Sequence, residues 1–356
     1  MKVEIFKKYM KEQLVTFISF TNKNDFKTVF CSLGASIYAI YMKSKYGYRE
    51  NIIMTPKNDE DFLGTEAYYG KIIGRTSGRI SNASFTIDGE TYNITSNRPN
   101  NVVLHGGEEK FNDMNFEYEI YEENDKAYVI FKGFSKDGSA GYPGDIDFRI
   151  TYTVFEDKDD VLIDYYATTN KKTILNLTNH AYFNLSGDFK RSILEHELTI
   201  KASKFIDIDE DLLPICIRNV NEVMDFRDGK LIGTHINHPF LQEHAYLGYD
   251  HPFIFDDQNY EICNATLLDP VSSRQVEVYT TYPSMVIYTN NYPSNKPMNN
   301  KETLDSKHDA ICLECQFIPN GINVDSDEDK AILDVGEIYH HMTRYSFKVK
   351  ENKFYE

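Results

Sequence analysis

Alternate residues of the stretch from Thr173 to Gly187 are polar: Asn176, Thr178, His180, Tyr182 and Asn184. In a strand, successive side chains point to opposite faces. These five would therefore share one side, with Leu175, Leu177, Ala181, Phe183 and Leu185 on the other and only Asn179 out of row. An outward strand face normally carries Thr, Lys or Glu, whereas a row of amides, hydroxyls and an imidazole suits a polyhydroxylated ligand such as a sugar. The plainer reading of His180 is a structural histidine satisfied by its Asn and Thr neighbours.

Glu314 lies in the β-rich run Ile311-Cys312-Leu313-Glu314-Cys315-Gln316-Phe317. Alternation sets Ile311, Leu313, Cys315 and Phe317 on one face and Cys312, Glu314 and Gln316 on the other. Partial desolvation would raise the pKa of this carboxylate and give it the basicity of a general base near neutrality. Taken alone, the segment favours a solvent-facing Glu on an amphipathic strand. His105 follows Asn101-Val102-Val103-Leu104 and precedes Gly106-Gly107, a strand-to-turn junction open to a cleft, or else a His that steadies the turn. Asp250, between Gly248-Tyr249 and His251-Pro252, has the setting of a loop, where an Asp most often caps its own turn. Arg75 and Arg79 can each bind a ligand or act as a buried strut against an acidic residue.

The elements that must carry these residues read as strands. Phe85 to Ile94 is a hairpin about Asp88-Gly89, because Asp-Gly supplies the positive φ of a tight turn. Val15 to Tyr41, broken at Asn24-Asp25 and Gly34, Phe116 to Phe134 about Asn124-Asp125, and Phe148 to Thr168 about Glu156–Asp160 repeat the pattern. A short helix is expected within the stretch from Asp59-Glu60-Asp61 to Tyr69. Long helical periodicity is missing and turn signals recur every eight to twelve residues or so, which predicts an all-β protein, a large antiparallel sandwich with few short helices. The chain, 1–356, is expected to form one domain, since large sandwiches pass the usual size limit as single units.

A net charge of −17 opposes a polyanionic partner, so no nucleic acid is expected. The apolar run Leu14–Phe20 lacks a small-residue cleavage site and leads into the turn Thr21–Asp25, so it reads as a strand rather than a signal peptide. No stretch reaches the length of a membrane-spanning helix. Five scattered cysteines suit reduced thiols and a cytoplasmic location. The pair Cys312 and Cys315, three apart in a strand, would point to opposite faces and so neither chelate one metal nor close a disulfide easily. Nothing has the form of a phosphate loop, a dinucleotide fingerprint or a histidine-carboxylate metal cluster, so no cofactor and no metal are expected. There is no Trp, so stacking against a sugar falls to some of the 26 Tyr or 23 Phe.

The segment Asn176-Leu177-Thr178-Asn179-His180-Ala181-Tyr182-Phe183-Asn184-Leu185-Ser186-Gly187 resembles the signature of the aldose 1-epimerase (galactose mutarotase) family. Further stretches follow in the family's order: Gly74 to Ile80, Leu104-His105-Gly106-Gly107, Gly248-Tyr249-Asp250-His251, Asp269-Pro270 with Ser273-Arg274, Tyr288-Thr289-Asn290-Asn291, and Ile311 to Gln316. Any one of them is weak, but the ordered set is specific. The resemblance implies a twisted β-sandwich with a sugar site on a concave face. It implies Glu314 as catalytic base, a protonated His180 as catalytic acid, and Arg79, His105 and Asp250 as substrate-binding residues. The implied reaction is interconversion of the α and β anomers of galactose and perhaps glucose, without a cofactor. The chain departs from the family pattern at Thr76-Ser77-Gly78, where an amide beside Arg79 is missing, at Val286 in place of a polar Gln, and at Asn320-Gly321 in place of Asp-Ala. These departures bear on the preferred sugar. Rival readings are a glycosidase with Glu314 and Asp250 as paired carboxylates, a non-enzymatic sugar-binding module, and a phosphosugar 1-epimerase.

Overall fold

The turn residues mark the hairpins correctly. Asp88 (φ 51°) and Gly89 (φ 83°) both adopt positive φ and join strands Ser84–Ile87 and Glu90–Asn93. The computed structural model describes residues 1–244, 248–299, 304–324 and 331–350, and every pairing between its strands is antiparallel. A nine-stranded sheet runs from Glu117–Glu122 through Lys126–Ser135, Ile146–Phe155, Asp160–Thr169 and Tyr339–Val349 to Arg274–Thr280 and three shorter strands. A six-stranded sheet runs in the order Tyr182–Phe183, Ile311–Gln316, Ser284–Tyr288, Asp250–Ile254, Lys204–Ile208 and Pro214–Asn219. A five-stranded sheet is built from the first 51 residues, including an edge strand Lys2–Met10 that the sequence reading missed. The only α-helices among the described residues are Asp59–Phe62, where a helix was expected, and Pro239–His244. No helix among these residues is long and apolar enough to cross a membrane.

The two larger sheets pack face to face as a sandwich. Val129, Ile150, Val276 and Tyr345 of the nine-stranded sheet share one apolar cluster with Phe253, Met285, Ile287, Leu313 and Cys315 of the six-stranded sheet. This contact sets the direction of every alternate side chain. Because Leu313 and Cys315 point into the core, Glu314 and Gln316 must point to the opposite face, together with Val286 and Asp250 of the neighbouring strands. That face is covered as well, so all six residues of Ile311–Gln316 are buried.

The expected continuous strand over Thr173–Gly187 is not one strand. It breaks into Thr173–Ile174, paired with Ile332–Leu333, then Thr178–Asn179, paired with Ile72–Ile73, then Tyr182–Phe183, paired with Ile311–Cys312. The segment crosses between sheets, and its amides and hydroxyls bond backbone. Asn176 donates to the carbonyl of Phe317 and accepts from its N–H, Thr178 donates to the carbonyl of Cys315, and Asn184 donates to the carbonyls of Arg191 and Asp309. Of the polar row, His180 and Tyr182 reach the cavity described below. Asn179, the residue out of row, donates to the carbonyl of Gly70 and the hydroxyl of Tyr152.

Arg75 is the strut and not a ligand. Its fully buried guanidinium donates to Ser135 Oγ and to the carbonyls of Pro143, Ser135, Lys136 and Gly144. The acidic partner is one step removed, since Ser135 Oγ donates to Glu109. Replacing Arg75 by Met would leave these buried carbonyls unmet. The expected loss in equilibrium urea unfolding is about 3 kcal/mol or more, with far-ultraviolet circular dichroism retained. A loss under about 1 kcal/mol would show that the strut is dispensable.

Candidate active site

The covered face of the six-stranded sheet floors a cavity of about 500 Å³, within the size range of small-molecule sites. Asp250, Val286, Tyr288, Glu314 and Gln316 come from the floor strands, His180 and Tyr182 from the crossing segment, and Tyr68, Gly78, Arg79 and His105 from the opposite wall. All five residues expected at a site, Arg79, His105, His180, Asp250 and Glu314, therefore line one cavity.

Each is held by backbone geometry. His180 donates its own N–H to the carbonyl of Lys71 and accepts at its carbonyl from Gly70, which fixes the ring over the strand carrying Glu314. Its Nε2 lies 3.4 Å from Glu314 Oε1, and its Nδ1 lies 3.4 Å from Cys312 Sγ. Glu314 stands directly across from Val286 in the ladder, and Asp250 across from Tyr288 one strand further on. Asp250 is thus the first residue of a strand, not a loop residue capping its own turn. Arg79 and Leu104 pair in a two-stranded ribbon whose end delivers both Arg79 and His105, and Arg79 Nη1 reaches Asp250 Oδ2 at 3.5 Å. His105 adopts a positive φ of 53° and its Nδ1 accepts from the N–H of Gly78 at 3.2 Å. The tautomer left to a neutral His105 is Nε2–H, a donor free for a ligand. Gly106 follows because a Cβ there would lie 2.3 Å from the carbonyl oxygen of Gly74.

Burial governs the ionisation of this group. It pushes Glu314 well above the ordinary carboxylate range, reinforced by the charge of Asp250 and opposed by Arg79. It pushes His180 down to about 4. His105 is driven well below its usual value by burial and then by His180, Arg79 and Arg98. Burial also raises Asp250, with Arg79 acting against it. Two neighbouring groups that are both disfavoured in their charged forms titrate as a coupled pair. Burial thus works against the imidazolium expected at His180 and against a charged Glu314 alike.

Three potential metal donors meet here, since atoms of His180, Cys312 and Glu314 lie within 4.8 Å of one another. The two imidazole nitrogens face different partners, one toward the thiol and one toward the carboxylate, so they do not converge with them on one ligand point. Burial, with Glu314 and Asp250 adding to it, also keeps the Cys312 thiol well above its usual pKa, whereas metal ligation needs the thiolate. An ion held here would occupy the neighbouring imidazole and carboxyl groups themselves. Cys315 lies on the other face, in the core, as the spacing of the two cysteines required.

The aromatic neighbours, unassigned from sequence, are tyrosines. Tyr68 meets His105 edge-on with ring centroids 4.6 Å apart, and Tyr182 lies against His180 at 5.1 Å. Tyr68 sits in an irregular segment with positive φ, where alternation offers no signal. The three departures from the family pattern have different consequences. Gly78 has φ +73° and a Cβ there would lie 2.5 Å from Cβ of Pro319, so this backbone excludes an amide at that position. Val286 makes an apolar stretch of the cavity floor. Asn320 follows the lining residue Pro319 without itself lining the cavity, and it accepts from the N–H and hydroxyl of Ser81, pinning a loop.

Fold and cavity together define an antiparallel β-sandwich protein with a buried imidazole and carboxyl side by side in a ligand-sized pocket. Residues 16–346 match the model of the aldose 1-epimerase family, and the chain belongs to that family. It is 33% identical over 320 residues to galactose mutarotase from Mus musculus, covering 89% of this chain and 90% of that protein. It is 32% identical over 337 residues to aldose 1-epimerase from Haemophilus influenzae, covering 93% and 95%. A solved aldose epimerase homologue from C. elegans superposes with a TM-score of 0.83 at 25% identity, over 94% of this chain and 99% of that one.

The ionisation pattern predicts that the rings of His180 and His105 both stay neutral on titration from pH 8 to pH 5, because both pKa values are depressed. Nitrogen-15 shifts of labelled histidine check this. An imidazolium signature for either ring at pH 6 would overturn the assignment.

Proposed function

We propose that the cavity opens and recloses the hemiacetal ring of a free aldohexose, galactose and with it glucose, and so interconverts the α and β anomers. The 3.4 Å separation of His180 Nε2 and Glu314 Oε1 carries this reading. Ring opening moves one proton off the C1 hydroxyl and one onto the ring oxygen, and both oxygens are bonded to the same carbon. Two proton carriers serving them must therefore be near neighbours. Paired carboxylates of a glycosidase straddle a bond to a second group and stand about 5 Å apart or more. The membership and the relatives' names support the same reaction.

In the reacting arrangement the shared proton sits on His180 and Glu314 is the carboxylate. Glu314 takes the proton of the C1 hydroxyl as His180 gives one from Nε2 to the ring oxygen, and the C1–O5 bond breaks to leave an aldehyde. Rotation about C1–C2 presents the other carbonyl face, and the two transfers then run backward. His105 through Nε2–H, Arg79 as donor and Asp250 as acceptor orient the hydroxyls, where much of the rate gain of such a site resides. The Arg79–Asp250 pair leaves the pocket little net charge, which suits a neutral sugar. We read the chain as one domain, supported by an apolar cluster that runs from Ile18 to Phe347, and place it in the cytosol, supported by five cysteines of which none is bridged.

Replacing Glu314 by Gln should keep sugar affinity within a few-fold and remove about two to four decades of kcat. Replacing His180 by Asn should also lower kcat by orders of magnitude with KM little changed, whereas His105→Asn should raise KM and lower kcat less. The measurement is mutarotation of freshly dissolved α-galactose by polarimetry, with circular dichroism to confirm folding. A folded His180→Asn that turns over faster than His105→Asn would reverse or refute the roles.

The profile of kcat/KM against pH should be bell-shaped. On the acid side activity falls as the pair gains a second proton, toward the depressed His180 value of about 4. On the alkaline side it falls as the pair loses its one proton, above the ordinary carboxylate range because Glu314 is raised. A single sigmoid through the normal histidine range would contradict a shared proton.

A further inference from the structure

Beside Glu314 the cavity floor contains a polar side chain with no partner. Gln316 lies two residues along the same strand, on the same face, and lines the cavity fully buried, yet neither its amide nitrogen nor its amide oxygen makes a hydrogen bond. The neighbours that could have satisfied it are committed elsewhere. Ser284, directly opposite in the ladder, gives its hydroxyl to the backbone carbonyl of Gln316, and Asn176 spends its amide on both backbone groups of Phe317. Val286, diagonal to Gln316, adds only apolar surface. A primary amide closed off from bulk water and left unmet is costly, and a Leu or Met would fill the same volume without that cost.

We infer that Gln316 is a specificity-determining ligand of the sugar, its amide N–H and C=O engaging two adjacent ring hydroxyls. The chemistry matches: the amide presents donor and acceptor side by side, and each hydroxyl of a vicinal diol can serve as either. The inference rests on the sugar reading of the cavity and adds a recognition group to it. Gln316 takes no part in proton transfer. Its contact is made to ground state and transition state alike, so its loss appears in KM.

The test is Gln316→Met, similar in length and without hydrogen-bonding atoms, assayed by polarimetry on galactose and on its 2-, 3-, 4- and 6-deoxy analogues. Expected are a KM for galactose raised about tenfold or more, kcat within about threefold, and a melting temperature unchanged or higher, because no internal hydrogen bond is lost. The two deoxy analogues that each lack one contacted hydroxyl should show a raised KM with the wild-type protein and a smaller further rise with the variant than galactose shows. A variant with wild-type KM across the panel would overturn the inference and assign the amide to an internal water. So would a lowered melting temperature with unaltered KM, which marks a structural role. If the wild-type protein accelerates none of these sugars, the reaction proposed above has failed, and calorimetric titration with galactose decides the present point alone. Weaker binding by the variant then supports the contact, and equal binding refutes it.

Discussion

The placement of one carboxylate on a strand that is covered on both faces controls the rest of this molecule. Ile311–Gln316 packs Leu313 and Cys315 into the core between the two large sheets and turns Glu314 into a cavity that other segments roof. Water is thereby kept from a charge that would otherwise be stabilised by it, and the carboxylate becomes a stronger base. The imidazole beside it undergoes the opposite displacement for the same reason. Desolvation, the largest cause of both shifts, thus raises the proton affinity of the acid and lowers that of the base at contact distance, the direction that proton exchange between them favours. Moving either group to the surface would return it toward its ordinary value.

Such an arrangement needs rigid support, and the crossing segment supplies it. Asn176 and Thr178 bond the backbone of Phe317 and Cys315, the residues flanking Gln316, while Asn179 and the backbone of His180 bond Gly70 and Lys71. One short stretch therefore fastens the strand of the carboxylate and the position of the imidazole to the same frame. The amides that looked like a ligand surface are positioning devices for the two residues beside them. Arg75 performs a related task on the far wall, tying the segment before Gly78 and Arg79 to the carbonyls of Ser135–Gly144.

Much of this was legible from residue order. Alternation in Ile311–Phe317 assigned Glu314 and Gln316 to one face and Cys315 to the other, because a strand has no freedom in that choice. Asp88-Gly89 declared its hairpin for an equally local reason. The resemblance brought together five residues that lie from Arg79 to Glu314 in the chain, and no local rule could have done so. What failed was the reading of Thr173–Gly187 as one strand. Its alternation is real, but each two-residue piece pairs with a different partner, and alternation cannot show which strand a residue meets. Asp250 was misread for a similar reason, since Gly-Tyr-Asp-His-Pro has loop composition, yet the pairing with Ser284–Tyr288 holds it extended. The edge strand Lys2–Met10 was hidden by its charges, most of which face solvent.

The departures at Gly78 and Val286 gain their meaning from the same geometry. Pro319 fills the space that a side chain at 78 would need, so the turn after the floor strand and the wall opposite approach each other there more closely than an amide would permit. Val286 keeps the position facing Glu314 apolar. An apolar neighbour strengthens the desolvation of the carboxylate, whereas an amide there would hydrogen-bond its charged form and lower its basicity. With polar contacts absent from both places, the proposed sugar reading leaves discrimination to fewer groups: the donor and acceptor pair Arg79 and Asp250, the Nε2–H of His105, and the amide of Gln316. The base and the recognition group at Gln316 are then consecutive side chains on one face of one strand, so the packing that makes Glu314 basic also sets where the sugar hydroxyls are read.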